Sequence, residues 1–263
     1  MLERLDVVRL DPARMLDVGT GLGRGLMALA QRYEKAQGIG IDVCAPLLGQ
    51  ARTMLRAGES GWLARLLGAR AGTASRLRLI CADAAGLPLP AGSADLIWSN
   101  LCLHWLPDPA AALREWYRVI RPDGLVMFSL FGVDTLKEVR GHGQSMQPFA
   151  DMHDIGDALS SIGYADPVMD TQWVTVTFES PRQVLADLRA LGGNAWRGRR
   201  QGLSGRERQR QWLDGLARLR DADGRIALTF EVIFGHAWCP AQKRRDDGLA
   251  PIHIQRRRDP SSS

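Results

Sequence analysis

Seven residues, Asp17-Val-Gly-Thr-Gly-Leu-Gly23, constrain this chain more than any other stretch. They follow an apolar run, Arg14-Met-Leu-Asp-Val18, that reads as a strand. They precede a helix expected over 24–34, with Leu26, Leu29, Ala30 and Tyr33 on one face. Alternate glycines let the backbone turn tightly and approach a ligand closely. Their register matters. A dinucleotide fold uses Gly-x-Gly-x-x-Gly and sets a pyrophosphate on the helix N-terminus. Here the spacing is Gly-x-Gly-x-Gly, with Asp17 two residues before Gly19. An acid at that turn repels a pyrophosphate. It suits the ammonium of a methionine moiety, directly or through water. Taken alone, the glycines also fit a plain structural turn.

Strand and helix keep alternating after this turn. Gly38–Asp42, Leu77–Cys81 and Asp95–Ser99 read as strands, and Pro46–Arg56 and Pro109–Ile120 as helices. The segment 58–75 reads as a variable helix or loop extension. Arg121-Pro-Asp-Gly124 reads as a turn before a fifth strand, Gly124–Leu130, apolar on both faces as a central parallel strand is. Such spacing predicts right-handed βαβ units. Helices are expected over 134–141, 151–162, 181–191 and 204–220. Gln172–Phe178 alternates Trp173, Thr175 and Thr177 against Val174, Val176 and Phe178, a strand with two unlike faces, and Ile226–Trp238 is a long β-rich run. The expected fold is α/β, a Rossmann-like doubly wound sheet of seven strands with helical cap insertions. One domain is expected over 1–240, with cap or substrate insertions at 131–165 and 179–225. A polar tail, 241–263, is expected to be disordered.

Three further features stand at strand ends in the order a nucleoside site needs. Asp42 closes the second strand, where a carboxylate can accept from both ribose hydroxyls or serve as a helix N-cap. Asp83, in Cys81-Ala-Asp-Ala84, can accept from an adenine amino group, with the Ala84 amide at a ring nitrogen, or cap its loop. Asn100 ends the fourth strand, where ligands of open α/β sheets bind, beside the reacting sulfonium. The expected cofactor-binding set is Asp17, Gly19, Gly21, Gly23, Asp42, Asp83, Ala84 and Asn100.

Composition narrows the setting. Hydrophobic residues make up 45% and charged residues 24%, which supports a packed core. The four cysteines lack CxxC spacing, and three lie in apolar runs that read as buried elements, so neither a disulfide framework nor a metal site is expected and a reducing cytoplasm fits. No run approaches the length of a membrane span, and the N-terminus lacks the pattern of a secretory signal. The net charge of +5 suits an acidic partner or reflects an arginine-rich composition. The basic residues form no recognisable nucleic-acid motif.

Asp-x-Gly-x-Gly-x-Gly, Asp42, Ala-Asp-Ala and Arg118-Val-Ile-Arg-Pro-Asp-Gly124 resemble the class I S-adenosyl-L-methionine-dependent methyltransferases across 14–130. Trp98-Ser-Asn-Leu-Cys-Leu-His-Trp105, Leu113-Arg-Glu-Trp-Tyr-Arg118, Phe131-Gly-Val-Asp-Thr-Leu-Lys-Glu-Val-Arg140, Leu188-Arg-Ala-Leu-Gly-Gly-Asn194 and Gly224-Arg-Ile-Ala-Leu-Thr-Phe230 are similar to the malonyl-[acyl-carrier protein] O-methyltransferases of biotin synthesis, to about Pro240. That family places a helical segment before the first strand, and Leu2, Leu5 and Val8 look like its tail. The resemblance implies S-adenosyl-L-methionine as cofactor, and methyl transfer to the free carboxylate of a malonyl thioester on an acidic acyl carrier protein or coenzyme A. Phe131-Gly-x-Asp-Thr-Leu also resembles an assembly-factor group of respiratory complex I, which uses the fold for arginine hydroxylation or assembly. A methyltransferase for a quinone or other small metabolite is a third reading.

A carboxylate is already ionised near neutrality, so no catalytic base is required. It needs recognition by a cation, desolvation and alignment. Arg140 and Arg189 are the candidate cations, and each also reads as a solvated helix residue, Arg140 paired with Glu138 or Asp134. His104 and Trp105 are candidates for the acceptor channel, or for a loop hydrogen bond and core packing. Six arginines at 197, 199, 200, 206, 208 and 210, with Glu207, form a candidate carrier-docking face or a solvated helix.

Overall fold

A computed structural model describes residues 1–60, 74–140, 149–191 and 206–241. Strands β1 (Arg14–Val18), β2 (Gln37–Asp42), β3 (Leu77–Cys81), β4 (Ala94–Asn100), β5 (Ile120–Phe131), β6 (Ala165–Phe178) and β7 (Ile226–Trp238) form one sheet in the order β3-β2-β1-β4-β5-β7-β6. The first five are parallel, and β7 runs antiparallel to both β5 and β6. The seven-stranded expectation therefore holds, with boundaries close to those read from periodicity except in β5 and β6, which begin earlier.

The helices are α1 (Arg24–Arg32), α2 (Ala45–Ser60), α3 (Pro109–Val119), α4 (Met152–Ile162), α5 (Pro181–Ala190) and α6 (Arg206–Ala217). Strand alternation splits the core into two layers. Met15, Leu96, Trp98, Leu125 and Met127 pack with Leu26 and Leu29 of α1 on one face. Leu16, Val18, Ile97, Val126 and Phe128 pack with Leu113 and Trp116 of α3 and Ile155 and Leu159 of α4 on the other. Thus α4, inside 131–165, belongs to the main core. A third cluster joins Phe131 and Phe230 to Val184 of α5 and Trp212 of α6.

Caps set the helix starts. Asp108 accepts from the Ala111 amide with Pro109 in the first turn of α3, Asp151 accepts from His153 at α4, and Ser180 accepts from Gln183 with Pro181 opening α5. The N-terminal segment folds as a 3-10 turn, Leu2–Leu5, with Leu5 buried against the α1 layer and Leu2 exposed. Arg4 pairs with Asp170 of β6, and Arg32 of α1 pairs with Asp6.

Four expectations change. Arg121–Gly124 is a bulge inside β5: Ala94 faces Ile120, the next register pair is Leu96 with Leu125, and Arg121 pairs with Asp95. The helix expected from 134 is only a 3-10 turn, Lys137–Val139. Leu136 is left-handed at φ 55, its amide donates to Thr229, and the Asp134 amide donates to the Glu231 carboxylate, while Lys137, Val139 and Arg140 donate to carbonyls three residues back, so the segment is pinned to β7 and closes only as short 3-10 turns. Strand β6 is longer than expected, and Gln172–Thr177 is exposed on both faces. These residues pair with β7 beyond Phe131, where β5 has ended, and Trp173 is 59% exposed. Finally, only Cys239 is a buried cysteine; Cys44 and Cys102 are half-buried and Cys81, at the end of edge strand β3, is exposed.

Candidate functional site

The glycine turn hangs from β2. The Gly19 and Thr20 amides both donate to the Ile41 carbonyl, at 2.8 and 3.0 Å, and the Gly23 amide closes the turn on Thr20. Gly19 has φ +77, and a Cβ there would lie 2.5 Å from the Cys102 Cβ, so only glycine fits. A Cβ on Gly21 would meet nothing, so this part of the turn faces open space. Gly23 caps α1 in the left-handed region.

Asp17 lies beneath the turn, 2% exposed. Its Oδ2 accepts from Thr20 Oγ1 at 2.7 Å. Burial pushes its carboxyl up to about 6, against the Thr20 and Leu26 hydrogen bonds and helped by Asp42. Asp42 is half-buried and splits its oxygens: Oδ2 accepts from the Gly21 amide at 2.9 Å and Oδ1 from Cys44 at 2.8 Å. Each oxygen keeps a second lone pair. Asp83 is exposed and accepts from the Ala85 amide at 2.9 Å, a loop cap with acceptor capacity to spare. The carbonyl of buried Ala84 accepts from the Trp116 indole at 3.0 Å, which fixes that loop on α3. The Ala82 amide donates to the Asp42 carbonyl, which joins the two loops.

Cys102, absent from the sequence-derived set, lies where these loops meet. Burial pushes its thiol up to about 12, and Asp42, Asp17 and Asp83 all push the same way. All three carboxylates therefore act on the same side of the sheet as the glycine turn. Cys102 sits in an apolar run, so nothing in its sequence setting separates it from a core residue. Trp98 was likewise legible only as a strand residue. Its buried indole Nε1 has no partner among the described residues and lies near Asp17, both within reach of a Cβ at Gly25.

Asn100 is exposed at the end of β4, and its Oδ1 accepts from Ser129 Oγ at 2.8 Å. Leu101, left-handed at φ 52, donates its amide to Ser129. A 3-10 turn, Leu103–Trp105, then buries His104 at 4% exposure among the rings of Trp105, Phe131 and Phe149. Burial lowers the imidazole to about 3, so the ring is neutral. Its Nδ1 accepts from the Phe131 amide at 3.4 Å. Trp105 is half-buried. Thus the cofactor set and His104–Trp105 converge at the carboxyl ends of β1, β2, β3 and β4.

The arginines stand apart. Arg140 is exposed after the turn that follows β5 and donates to the Thr135 carbonyl at 3.4 Å, while Glu138 serves the Thr229 amide. Arg189 is exposed near the end of α5. Arg197, Arg199 and Arg200 lie outside the described residues, whereas Arg206, Arg208 and Arg210 fall on α6. Arg210 is exposed and stands 4.0 Å from Asp214. Glu231, which sequence reasoning also missed, is buried and holds the Asp134 amide at 2.6 Å, with its backbone bonded to Thr135.

These residues fit a cationic nucleoside. Converging carboxylates oppose an anionic diphosphate and favour a positive ligand. Gly21 leaves room for close approach, and Asp42 and Asp83 retain acceptor capacity for hydroxyl and amino groups. Among the described residues no cluster of three or more His, Cys, Asp or Glu could hold a metal ion, and no helix is long and apolar enough to cross a membrane.

A family model described as a methyltransferase domain matches residues 16–128. The chain is 42% identical over 259 residues to the malonyl-[acyl-carrier protein] O-methyltransferase of Gallionella capsiferriformans, covering 96% of this chain and 86% of that protein. Among solved structures it is similar to the YcgJ protein of Bacillus subtilis, with TM-score 0.60, 17% identity, and coverage of 91% of this chain and 97% of that one. It is also similar to phosphoethanolamine N-methyltransferase 2 of Haemonchus contortus in complex with S-adenosyl-L-methionine, with TM-score 0.55, 17% identity, and coverage of 91% and 51%.

Proposed function

The chain belongs to the malonyl-[acyl-carrier protein] O-methyltransferase family, and on that premise we propose that it methylates the free carboxylate of a malonyl thioester carried by acyl carrier protein or coenzyme A, a step of biotin synthesis. It is an S-adenosyl-L-methionine-dependent methyltransferase. The observation that carries the reading is the junction, at the end of β4, of a glycine turn flanked by Asp17 and Asp42 with an uncharged aromatic cluster around His104.

In this reading Asp42 holds the ribose, Asp83 and the Ala84 amide the adenine, and the Gly19–Gly23 turn lies against the methionine portion. Asp17 balances the amino group through a bridge, and Asn100 flanks the reacting centre. When bound, the cofactor supplies a methyl on a sulfonium: a carboxylate oxygen bonds to the methyl carbon as the carbon–sulfur bond breaks, the electron pair stays on sulfur, and no proton moves. The protein then has to orient the acceptor and exclude water. Phe131, Phe149 and Trp105 line the dry wall. Exposed Arg140 and Arg189 meet the anionic acceptor as it enters.

An acidic acyl carrier protein fits the chain's positive charge, with the arginines of α6 as part of the docking face. The unit is 1–240, with 179–225 as the carrier-side insertion and a tail over 241–263, of which only Ala241 is described. Its four free thiols suit the cytoplasm, and the reading involves neither nucleic acid nor membrane. The test is transfer of a labelled methyl group to malonyl-carrier protein and to malonyl-coenzyme A. The expected result is a labelled methyl ester, abolished by Asp17→Ala. Folded protein that binds the cofactor and labels neither acceptor overturns the reading.

A further inference from the structure

Of the buried polar groups left unpaired near the site among the described residues, Trp98 Nε1 lies on the Asp17 side and His104 Nε2 on the acceptor side. His104 accepts the Phe131 amide through Nδ1, which fixes the neutral ring with its proton on Nε2. That Nε2 is buried and has no hydrogen-bond partner among the described residues. Folded proteins seldom leave such a donor unpaired. Its ring neighbours are Phe131, Trp105 and Phe149, at centroid distances of 4.7, 4.9 and 5.9 Å. None carries a strong acceptor. The residue stands four positions past Asn100, in the turn that leaves β4 at the reacting end of the sheet.

We infer that His104 is a positioning residue for the methyl acceptor, its Nε2–H donating to the carboxylate oxygen that does not attack. This rests on the acceptor being a malonyl carboxylate.

A neutral donor suits the reaction better than a cation. The transfer removes one negative and one positive charge together, so a dry, uncharged surround favours it. A guanidinium or imidazolium would hold the anion more tightly than the ester that replaces it, and would oppose the step. Burial keeps this imidazole uncharged and holds it among rings that exclude water. The exposed arginines serve recognition at the entrance, and His104 sets the final angle.

A merely structural role would run through Nδ1, which secures the end of β5. Substitution separates the two roles. Glutamine puts an amide nitrogen near the position of Nε2, and asparagine puts an oxygen near that of Nδ1. Calorimetry would measure malonyl-coenzyme A binding to the full chain with S-adenosylhomocysteine present, for wild type, His104→Gln, His104→Asn and His104→Leu. Affinity for S-adenosylhomocysteine alone reports an intact fold. His104→Asn and His104→Leu are expected to weaken malonyl-coenzyme A about tenfold or more, the worth of one hydrogen bond to a charged group. His104→Gln is expected to stay within about threefold, with S-adenosylhomocysteine affinity unchanged throughout. Nitrogen-15 NMR of the wild type should show the Nε2–H tautomer, with its signal shifted by malonyl-coenzyme A.

If His104→Asn binds as wild type and His104→Gln does not, the residue only secures the Phe131 amide and the inference is overturned. Equal binding by all four proteins overturns it while leaving the acceptor assignment standing. If the wild type binds S-adenosylhomocysteine but neither binds nor methylates a malonyl thioester, the acceptor assignment fails and takes this inference with it.

Discussion

The Cys102 side chain rests on the α-carbon of Gly19, so the first glycine of the turn and the loop leaving β4 pack with no space between them. The contact joins the two strand ends where cofactor and acceptor have to meet. Gly19→Ala would collide with Cys102 and force a left-handed alanine. It should destabilise the fold by about 1–3 kcal/mol and lower cofactor affinity. Cys102→Ala should relieve the collision only in part, because the backbone angle remains unfavourable. Melting temperature and calorimetry with S-adenosylhomocysteine would check both. An alanine variant with wild-type affinity would show that the turn can move.

Asp17 predicts a proton linkage. Its folded carboxyl titrates at about 6, above the ordinary 3.8. Folding thus favours the protonated form. The resulting contribution to stability is full below about 3.8 and is lost as pH rises through about 6. Above that window the cofactor-free protein holds a buried charge, so Asp17→Asn should melt no lower than wild type while binding cofactor more weakly. An ammonium placed beside Asp17 restores the ionised form. Cofactor binding near the titration midpoint should therefore release a proton. Calorimetry in buffers of different ionisation heat measures it, and zero release at that pH would contradict the contact.

The Cys102 thiol should be inert in the folded protein. Burial and three carboxylates push it up to about 12, so almost no thiolate exists near neutrality. Cys81 is exposed and should react with iodoacetamide first. Mass spectrometry of partly labelled protein gives the order, and equal rates would mean that the loop opens.

Glu231 should matter to the acceptor side without touching the cofactor. Its carboxylate holds the Asp134 amide, and a Cβ on Gly132 would lie 2.5 Å from its Oε2. Glu231→Ala leaves that amide unpaired at a cost of about 1–3 kcal/mol. Methyl transfer should fall while S-adenosylhomocysteine affinity stays near wild type. A parallel loss of both would place Glu231 in the whole fold instead.

Sequence alone located the parts of this fold that repeat a simple period. Five parallel strands and the glycine turn were legible because each strand is a short apolar run closed within two residues by Gly, Asp or Asn. Asp17, Asp42 and Asp83, proposed to serve the nucleoside, stand at or near those strand ends. Periodicity failed where distant backbone settled the matter. Asp134–Arg140 has helical composition, yet Glu231 and Thr229 take the amides of Asp134 and Leu136, which leaves only 3-10 closures for the rest. The alternation over Gln172–Phe178 was real, but a two-faced pattern carries no information about whether another layer covers either face. Cys102 and Trp98 escaped notice because apolar neighbours make a site residue look like core. His104 was visible as a candidate, whereas its unpaired nitrogen is a property of the packed rings.

The pairing of Phe178 with Ile226 has a consequence for how such an enzyme changes over time. The chain leaves the sheet after Phe178 and rejoins it at Ile226, adjacent points on one ladder. Lengthening such an excursion costs little closure entropy. In the proposed reading the nucleoside loops lie on other strands, while Val184 and Trp212 pack with Phe131 on the acceptor side. An exchange of 179–225 would then revise the acceptor side and leave the donor side in place.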